Sequence, residues 1–479
     1  MKMRGKTVLL FNPWIYDFAA YDLWSKPIGL LYLGALLRKL GYDVHLIDCL
    51  DRHHPAVAEI AKPIDRANAS GKFLREEVDK PAVLRHVPRR FCRYGMPPAV
   101  VAELLRATPK PDVILVTSAL TYWYLGVRDA VRMLRDVFPQ AHIMLGGIYA
   151  TLCSDHALAV IRPDEVIVGE GEIAVARRLA QLTGGSPDFD YHHLDDLPFP
   201  AYDLYPKLTS VSLLTSRGCP NTCSFCASKA LAGGHRRRSP QNVLAEIDHW
   251  HRAGVRHFAF FDDALLHRAD AFIKPIMRGI VERGYDFHLH TPNGLTPRFI
   301  DAELAQLFRK AGGETLRLSF ETADPARQRS MSAKVTNDEL CRALRNLEDA
   351  GYARSEIGVY VLMGLPDQPP EEFRQSVLWV HGLGARVYPA SFSPIPQTLE
   401  WRRAVTTGLW DESADLLLTN TTLFPIWSKL YGADFCAELL QWAGDLNRRS
   451  AGTAAVGQAP QEKPSAQSNL CDIPESFIS

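Results

Sequence analysis

A chain of 479 residues with 47% apolar content can bury more than one hydrophobic core, so at least two domains are expected. Its 54 basic residues are balanced by 54 acidic ones, leaving no global charge with which to hold nucleic acid or an anionic membrane. The apolar stretch 28–37 is too short to span a bilayer, residues 1–14 lack the apolar core and cleavage site of a secretory signal, and the nine cysteines form no disulfide framework, so a reduced, cytoplasmic, oxygen-sensitive protein is expected.

Residues 1–183 alternate strands and helices. Short apolar runs at 6–12, 43–49, 112–120, 142–148 and 165–169 read as buried parallel strands, and helical patterns fall at 28–40, 125–138, 154–161 and 173–182. This is the pattern of an α/β, doubly wound (Rossmann-like) parallel sheet, which takes its ligand at the carboxyl ends of the strands. Those ends carry Asn12-Pro13, Thr117-Ser118, Gly146-Gly147 and Gly169-Glu170-Gly171, small or turn-forming residues that let a large planar ligand approach the backbone; taken singly, each glycine equally reads as a turn. Residues 50–110 interrupt the alternation with a polar insertion containing Arg85-His86-Val87-Pro88-Arg89-Arg90, read either as a cap on a ligand pocket or as a solvated excursion. A non-periodic stretch, 184–206, is a linker.

Strand patterns resume at 210–216, 257–263, 286–293, 315–322, 357–364 and 386–395, with helices at 240–252, 269–283, 301–311, 337–350 and 370–383. Six such strands over 207–400 predict a partial (β/α)6 TIM-like barrel whose carboxyl-terminal rim faces the substrate. Residues 401–450 read as a helical segment rich in buried aromatics that caps the open side. Residues 451–479 have the composition of a disordered tail, which removes Cys471 as a fixed ligand.

The chemistry centres on Ser216-Arg217-Gly218-Cys219-Pro220-Asn221-Thr222-Cys223-Ser224-Phe225-Cys226, a loop at the end of the first barrel strand. Three thiols spaced Cys-x3-Cys-x2-Cys suit an iron–sulfur cube with one corner left open, and Gly218 and Pro220 favour the turn that aims them. A zinc loop closed by His235, or unrelated free cysteines, are the blander readings. The basic run His235-Arg236-Arg237-Arg238 beside it fits a carboxylate, a cofactor phosphate or solvent better than RNA in a neutral chain. His288 and His290 alternate on one strand face, as acid/base groups or as satisfied core histidines.

The triad resembles the signature of the radical S-adenosylmethionine (radical SAM) superfamily. The resemblance implies that Cys219, Cys223 and Cys226 hold a 4Fe-4S cluster whose open iron binds SAM, and that reductive cleavage of SAM releases a 5′-deoxyadenosyl radical. Phe225 matches the family position beside the adenine. Phe260-Phe261-Asp262-Asp263 stands where the superfamily usually carries Gly-Gly-Glu, so Asp262 or Asp263 would face the SAM amino group unless one of them caps the next helix. Asn293 and Ser319-Phe320-Glu321 resemble positions facing the SAM carboxylate or ribose; Glu321, at the rim end of an apolar strand, needs a partner such as the ribose or Arg317. Gly364, in Met363-Gly364-Leu365-Pro366, resembles the turn beside the adenine.

With Lys26-Pro27-Ile28-Gly29-Leu30 before its first helix, the N-terminal domain resembles the cobalamin-binding module found upstream of many radical SAM domains. Asn12, Thr117, Ser118, Gly146, Gly147, Gly169 and Gly171 are then the expected cobalamin contacts. The Asp-x-His-x-x-Gly motif of base-off cobalamin domains is missing after the first strand; Asp51-Arg52-His53-His54-Pro55-Ala56 mimics it, but after the second strand.

What the resemblance implies is a cobalamin-dependent radical SAM methyltransferase acting on an unactivated carbon of a small-molecule or peptide substrate, supplied with electrons by a donor such as flavodoxin or ferredoxin. Oxidation, cyclisation or rearrangement with the same cofactors is the runner-up, and a non-catalytic metal- or cobalamin-binding protein is the third reading. Methylthiotransfer is disfavoured, because Cys49, Cys92 and Cys153 do not cluster in sequence.

Overall fold

The computed structural model describes residues 6–183, 191 and 193–456; the expected tail beyond 456 and most of 184–192 lie outside the described residues. The chain forms two compact units, one made of Met1–Cys219, Ala227–Ala259 and Ser413–Thr422, the other of Pro220–Cys226, Phe260–Glu412 and Leu423–Ser479.

The first unit is built on five parallel strands: β1 (Thr7–Asn12), β2 (Asp43–Asp48), β3 (Val113–Val116), β4 (His142–Leu145) and β5 (Glu165–Val166), in spatial order β5-β4-β3-β1-β2. Val8, Leu9, Leu10 and Phe11 of β1 are all buried, which is why the central strand reads as an unbroken apolar run. Helix α1 (Ile28–Lys39) lays Leu30 and Leu37 on Val8, Leu10, Val44 and Leu115 to form the core under the sheet. From β1 the chain steps to β2 on one side, then crosses back to β3 on the other. The strand order therefore reverses between β1 and β3, at Asn12 and Thr117, and a doubly wound sheet opens its ligand crevice at such a reversal.

Residues 50–110 are not structureless. Ile15–Asp17, Arg75–Glu77 and Cys92–Tyr94 form one small antiparallel sheet, and Tyr21–Asp22, Ile64–Asp65 and Gly71–Lys72 form another, over a core of Ile15, Ala20, Phe73, Cys92 and Tyr94. Helix α2 (Pro98–Ala107) is the ordinary crossover into β3. Strands of two or three residues are too short to show a period, so the sequence concealed them.

Ser413–Thr422, read from sequence as part of the helical segment, belongs to this first unit. Asn420 donates to Asp17 Oδ1 (2.8 Å), Trp123 Nε1 donates to Asp17 Oδ2 (2.7 Å), and the Tyr124 hydroxyl donates to Asp415 (3.0 Å). Burial pushes the Asp17 carboxyl up from its ordinary pKa. The unit also holds β6 (Ser210–Leu213) and helix α3 (Pro240–Arg252), whose first turn is capped by Ser239 and whose buried Glu246 pairs with buried Arg238. His257–Phe260 then carries the chain into the second unit.

There, β7 (Arg317–Glu321), β8 (Gly358–Met363) and β9 (Arg386–Ser391) run parallel in that order, with helices Asn337–Asp349 and Pro370–Gly382 as crossovers. Leu318, Phe320, Val359, Val361, Phe373 and Val377 are fully buried between strands and helices. Thr336 and Glu339 cap the first of these helices reciprocally. Helix Ala433–Val456 closes the free edge of β9: the Asn447 side chain donates to Val387 O (2.7 Å) and accepts from Val387 N (2.9 Å), standing in for a neighbouring strand. Alternating β and α elements with parallel sheets bear out the α/β class and the helical C-terminal part. No helix among the described residues is long and apolar enough to cross a membrane.

Candidate active site

Ser216-Arg217 enters the cysteine loop by pairing antiparallel with Arg236-Arg237. Arg217 lies 2.5 Å from Glu172 and 3.5 Å from Glu170, the carboxylates that follow β5, and its guanidinium sits over the Tyr32 ring. Burial works against the Arg217 charge, but Glu172 and Glu170 outweigh it and hold the guanidinium more firmly protonated than usual. Arg236 also pairs with Glu170. Arg236 and, through Glu246, Arg238 of the basic run are thus paired with carboxylates of the same unit.

Gly218 turns the chain with φ 73° before Cys219. Cys219 and Cys223 are half-buried, Cys226 is exposed, and none of the three is in a disulfide. In the second unit the loop is anchored by Ser224, whose N–H donates to Met331 O (3.1 Å) and whose carbonyl accepts from Glu400 N (3.1 Å). Burial pushes the Cys223 thiol up, while the Ser332 hydrogen bond and Lys334 pull the other way. An all-sulfur set on one short loop suits iron–sulfur ligation, and three ligands leave one iron open.

Phe225 and Glu321 line one small recess of the second unit with Gln328 and Lys334. Glu321 has φ 72°, a left-handed conformation that strains a side-chain-bearing residue. Its Oε1 lies 3.6 Å from Lys334 Nζ, and its buried Oε2 has no hydrogen-bond partner among the described residues. Arg317 does not partner it: four residues away along a strand is about 13 Å, and Arg317 donates to the Tyr388 hydroxyl instead (3.0 Å). Lys334, and Gln368, which accepts from Gly364 N (2.9 Å) and donates to Leu362 O (3.0 Å), escaped the sequence reading because no motif marks them. Asn293 donates to Phe261 O (2.8 Å), so its amide ties two rim loops together. Ser319 abuts Gly294. Asp262 is buried and Asp263 exposed, so the pair is not equivalent. His290 is a core residue bonded to Thr315 (3.1 Å), and His288 pairs with Glu314 (2.5 Å).

At the carboxyl ends of the five-stranded sheet, Asn12 donates to Asp48 (2.7 Å), and Tyr205 donates to the other oxygen of that carboxylate (2.5 Å). Ser118 donates to Gly146 O (2.6 Å) and accepts from Ala150 N (3.1 Å). Gly147 has φ 97°, and a Cβ there would lie 2.2 Å from Ser118 O, so this joint admits no side chain. Gly169, with its N–H on Thr151 Oγ1 (3.0 Å), faces open space. Gly169 has open space where a Cβ would stand, and Gly146 and Gly171 have only ordinary van der Waals neighbours, so backbone at these three positions suits a broad planar ligand. The His53 side chain belongs to the insertion, beside Asp65 (3.4 Å), and is not at the crevice strand β1.

Comparison with known proteins agrees. A radical SAM superfamily model matches residues 213–380 and a B12 binding domain model matches 91–179. The chain is 24% identical to cytidylyl-2-hydroxyethylphosphonate methyltransferase of Streptomyces wedmorensis, over 76% of this chain and 73% of that protein. It is 25% identical to the anaerobic magnesium-protoporphyrin IX monomethyl ester cyclase of Synechocystis, over 67% and 62%. Its fold is similar to the radical SAM methyltransferase TsrM of Kitasatospora setae, solved with tryptophan and a SAM analogue, with a TM-score of 0.62, 17% identity, and coverage of 86% of this chain and 79% of that one. With the thiol loop inside the residues matched to the first model, the chain carries both a radical SAM domain and a B12-binding domain.

Proposed function

We propose that the enzyme methylates an unactivated carbon of a small molecule. The observation that carries this reading is the presence of a radical SAM domain and a B12-binding domain on one chain, with a three-thiol loop in the first. When bound, the 4Fe-4S cluster supplies the electron that cleaves SAM, and cobalamin carries the methyl group. Cys219, Cys223 and Cys226 would hold the cluster. Phe225, Glu321, Gly364 and Asp262 or Asp263 would hold SAM, with Asn293 and Ser319 shaping the rim. Bare backbone at Gly146, Gly169 and Gly171 would receive cobalamin, with Asn12, Thr117, Ser118 and Gly147 fixing the strand ends around it. The phosphonate methyltransferase relative, and TsrM with its tryptophan, support a small-molecule substrate. A one-electron donor such as flavodoxin or ferredoxin and a reducing cytoplasm fit an exposed thiolate site, which oxygen would oxidise.

A second reading, oxidation or cyclisation with the same cofactors, is favoured by the similarity to the porphyrin ester cyclase. Reduced, reconstituted enzyme given methyl-deuterated SAM and a candidate substrate separates the two. Methylation requires both 5′-deoxyadenosine and S-adenosylhomocysteine, with label in the product. 5′-Deoxyadenosine with an unlabelled, oxidised product moves the assignment to the second reading, and neither product rejects both.

A further inference from the structure

The insertion of the first unit and residues 18–21 line an open cavity of about 340 Å³ that no cofactor assignment uses. Phe18, Tyr21, Phe73 and Tyr94 give it aromatic walls, and Arg52, Lys62, Lys72 and Arg75 are its charged residues; no carboxylate lines it. Arg52, 4% exposed, is spent on the fold: Nε donates to Asp22 (2.7 Å), Nη2 to Ala69 O (2.8 Å), and Nη1 meets Asp65. Asp22 and Asp65 both face this one guanidinium. Lys62, Lys72 and Arg75 form no ion pair among the described residues, which leaves the cavity with an uncompensated positive field. Tyr21 and Ile64, also lining it, are 51% and 61% exposed and offer apolar surface for a ligand to cover. Gly71 lets its strand pass over the guanidinium, since a Cβ there would lie 2.5 Å from Ile64 O and 2.7 Å from Arg52.

We propose that this cavity binds a small amphipathic anion, an aromatic or branched apolar body carrying a carboxylate or a phosphate. Its volume falls within the roughly 300–1,000 Å³ of small-molecule sites. Aromatic walls take the body, and Lys72, opposite Tyr21, and Arg75, opposite Tyr94, take the charge. The assignment is independent of whether the barrel methylates or oxidises its substrate.

The test uses the full chain reconstituted with cluster and cobalamin, titrated calorimetrically with phenylacetate, phenyl phosphate, benzyl alcohol and inorganic phosphate. One of the aromatic anions is expected to bind saturably, at least about tenfold tighter than either control, a difference of about 1.4 kcal/mol. The better of the two anions distinguishes a carboxylate ligand from a phosphate. The Lys72→Ala, Arg75→Ala double variant should weaken that binding at least about tenfold, with the cofactor absorbance unchanged. Wild-type affinity should also fall as salt rises, a readout that needs no variant. Absence of saturable binding by both anions, equal binding of benzyl alcohol, or salt-independent affinity would overturn the proposal.

Discussion

Arg217, two residues before the first cysteine of the loop, is held 2.5 Å from Glu172, seven residues beyond the start of β5. Both side chains are nearly buried. The entry to the thiol loop is therefore fixed by a carboxylate at the start of the helix that follows the five-stranded sheet. Removing Arg217 leaves buried Glu172 uncompensated, so Arg217→Ala should destabilise the first unit by about 3–5 kcal/mol, and Glu172→Ala by less, because Glu170 still faces Arg217. Arg217→Met combined with Glu172→Leu should cost much less. Urea unfolding followed by circular dichroism measures this, and losses below about 1 kcal/mol for both single variants would contradict a structural role for the pair.

Gly147 and Gly169 share positive φ but not surroundings. Gly147→Ala drives a Cβ into Ser118 O and should cost roughly 2–3 kcal/mol. Gly169→Ala, in open space, should cost about 1 kcal/mol. Gly169→Phe should fold, yet bind less cobalamin per chain as measured by absorbance after gel filtration. Undiminished cobalamin in that variant would place the ligand elsewhere.

Glu321 combines backbone strain with a buried oxygen that lacks a hydrogen bond. Glu321→Gly should relieve about 1 kcal/mol of strain and raise the melting temperature. The same change should weaken SAM binding, measured by equilibrium dialysis of reconstituted protein. A more stable variant that binds SAM as tightly as wild type would remove Glu321 from the site.

His53 is buried, and its pKa falls from 6.5 to about 4, chiefly through burial and then the Arg52 charge. Its contribution to stability is fully present above pH 6.5 and is lost as pH falls toward 4, by no more than about 3 kcal/mol. Asp51, raised by burial from 3.8 to about 6, acts in the opposite direction, losing stability as pH rises through that window. Asp51 is retained in His53→Gln, so comparing the two proteins isolates the histidine. Between pH 7 and pH 5 the melting temperature of wild type should fall more steeply than that of His53→Gln. Parallel slopes would contradict the assignment.

The sheet strands were legible because buried parallel strands are continuous apolar runs, as at Val8–Phe11, and the thiol loop was legible because three cysteines at fixed spacing have few other uses. The insertion was not, since two-residue strands such as Gly71–Lys72 carry no periodicity. Asp17 meeting Asn420, or Glu321 meeting Lys334, depends on the tertiary path of the chain, and no local pattern encodes it. Asn12 and Ser118, expected from the sequence as ligand contacts, also hydrogen-bond at the sheet's own strand ends, partners that no local pattern encodes.

The central claim is that one chain holds both a thiolate-bound cluster and cobalamin. Anaerobic purification with cobalamin supplied, followed by assay of iron, sulfide and cobalamin per chain, tests it most directly. The account predicts iron and sulfide at the stoichiometry of one 4Fe-4S cluster together with one cobalamin, and loss of the iron and sulfide alone when Cys219, Cys223 and Cys226 are changed to Ala. Iron without cobalamin, or iron retained in the triple variant, would contradict it.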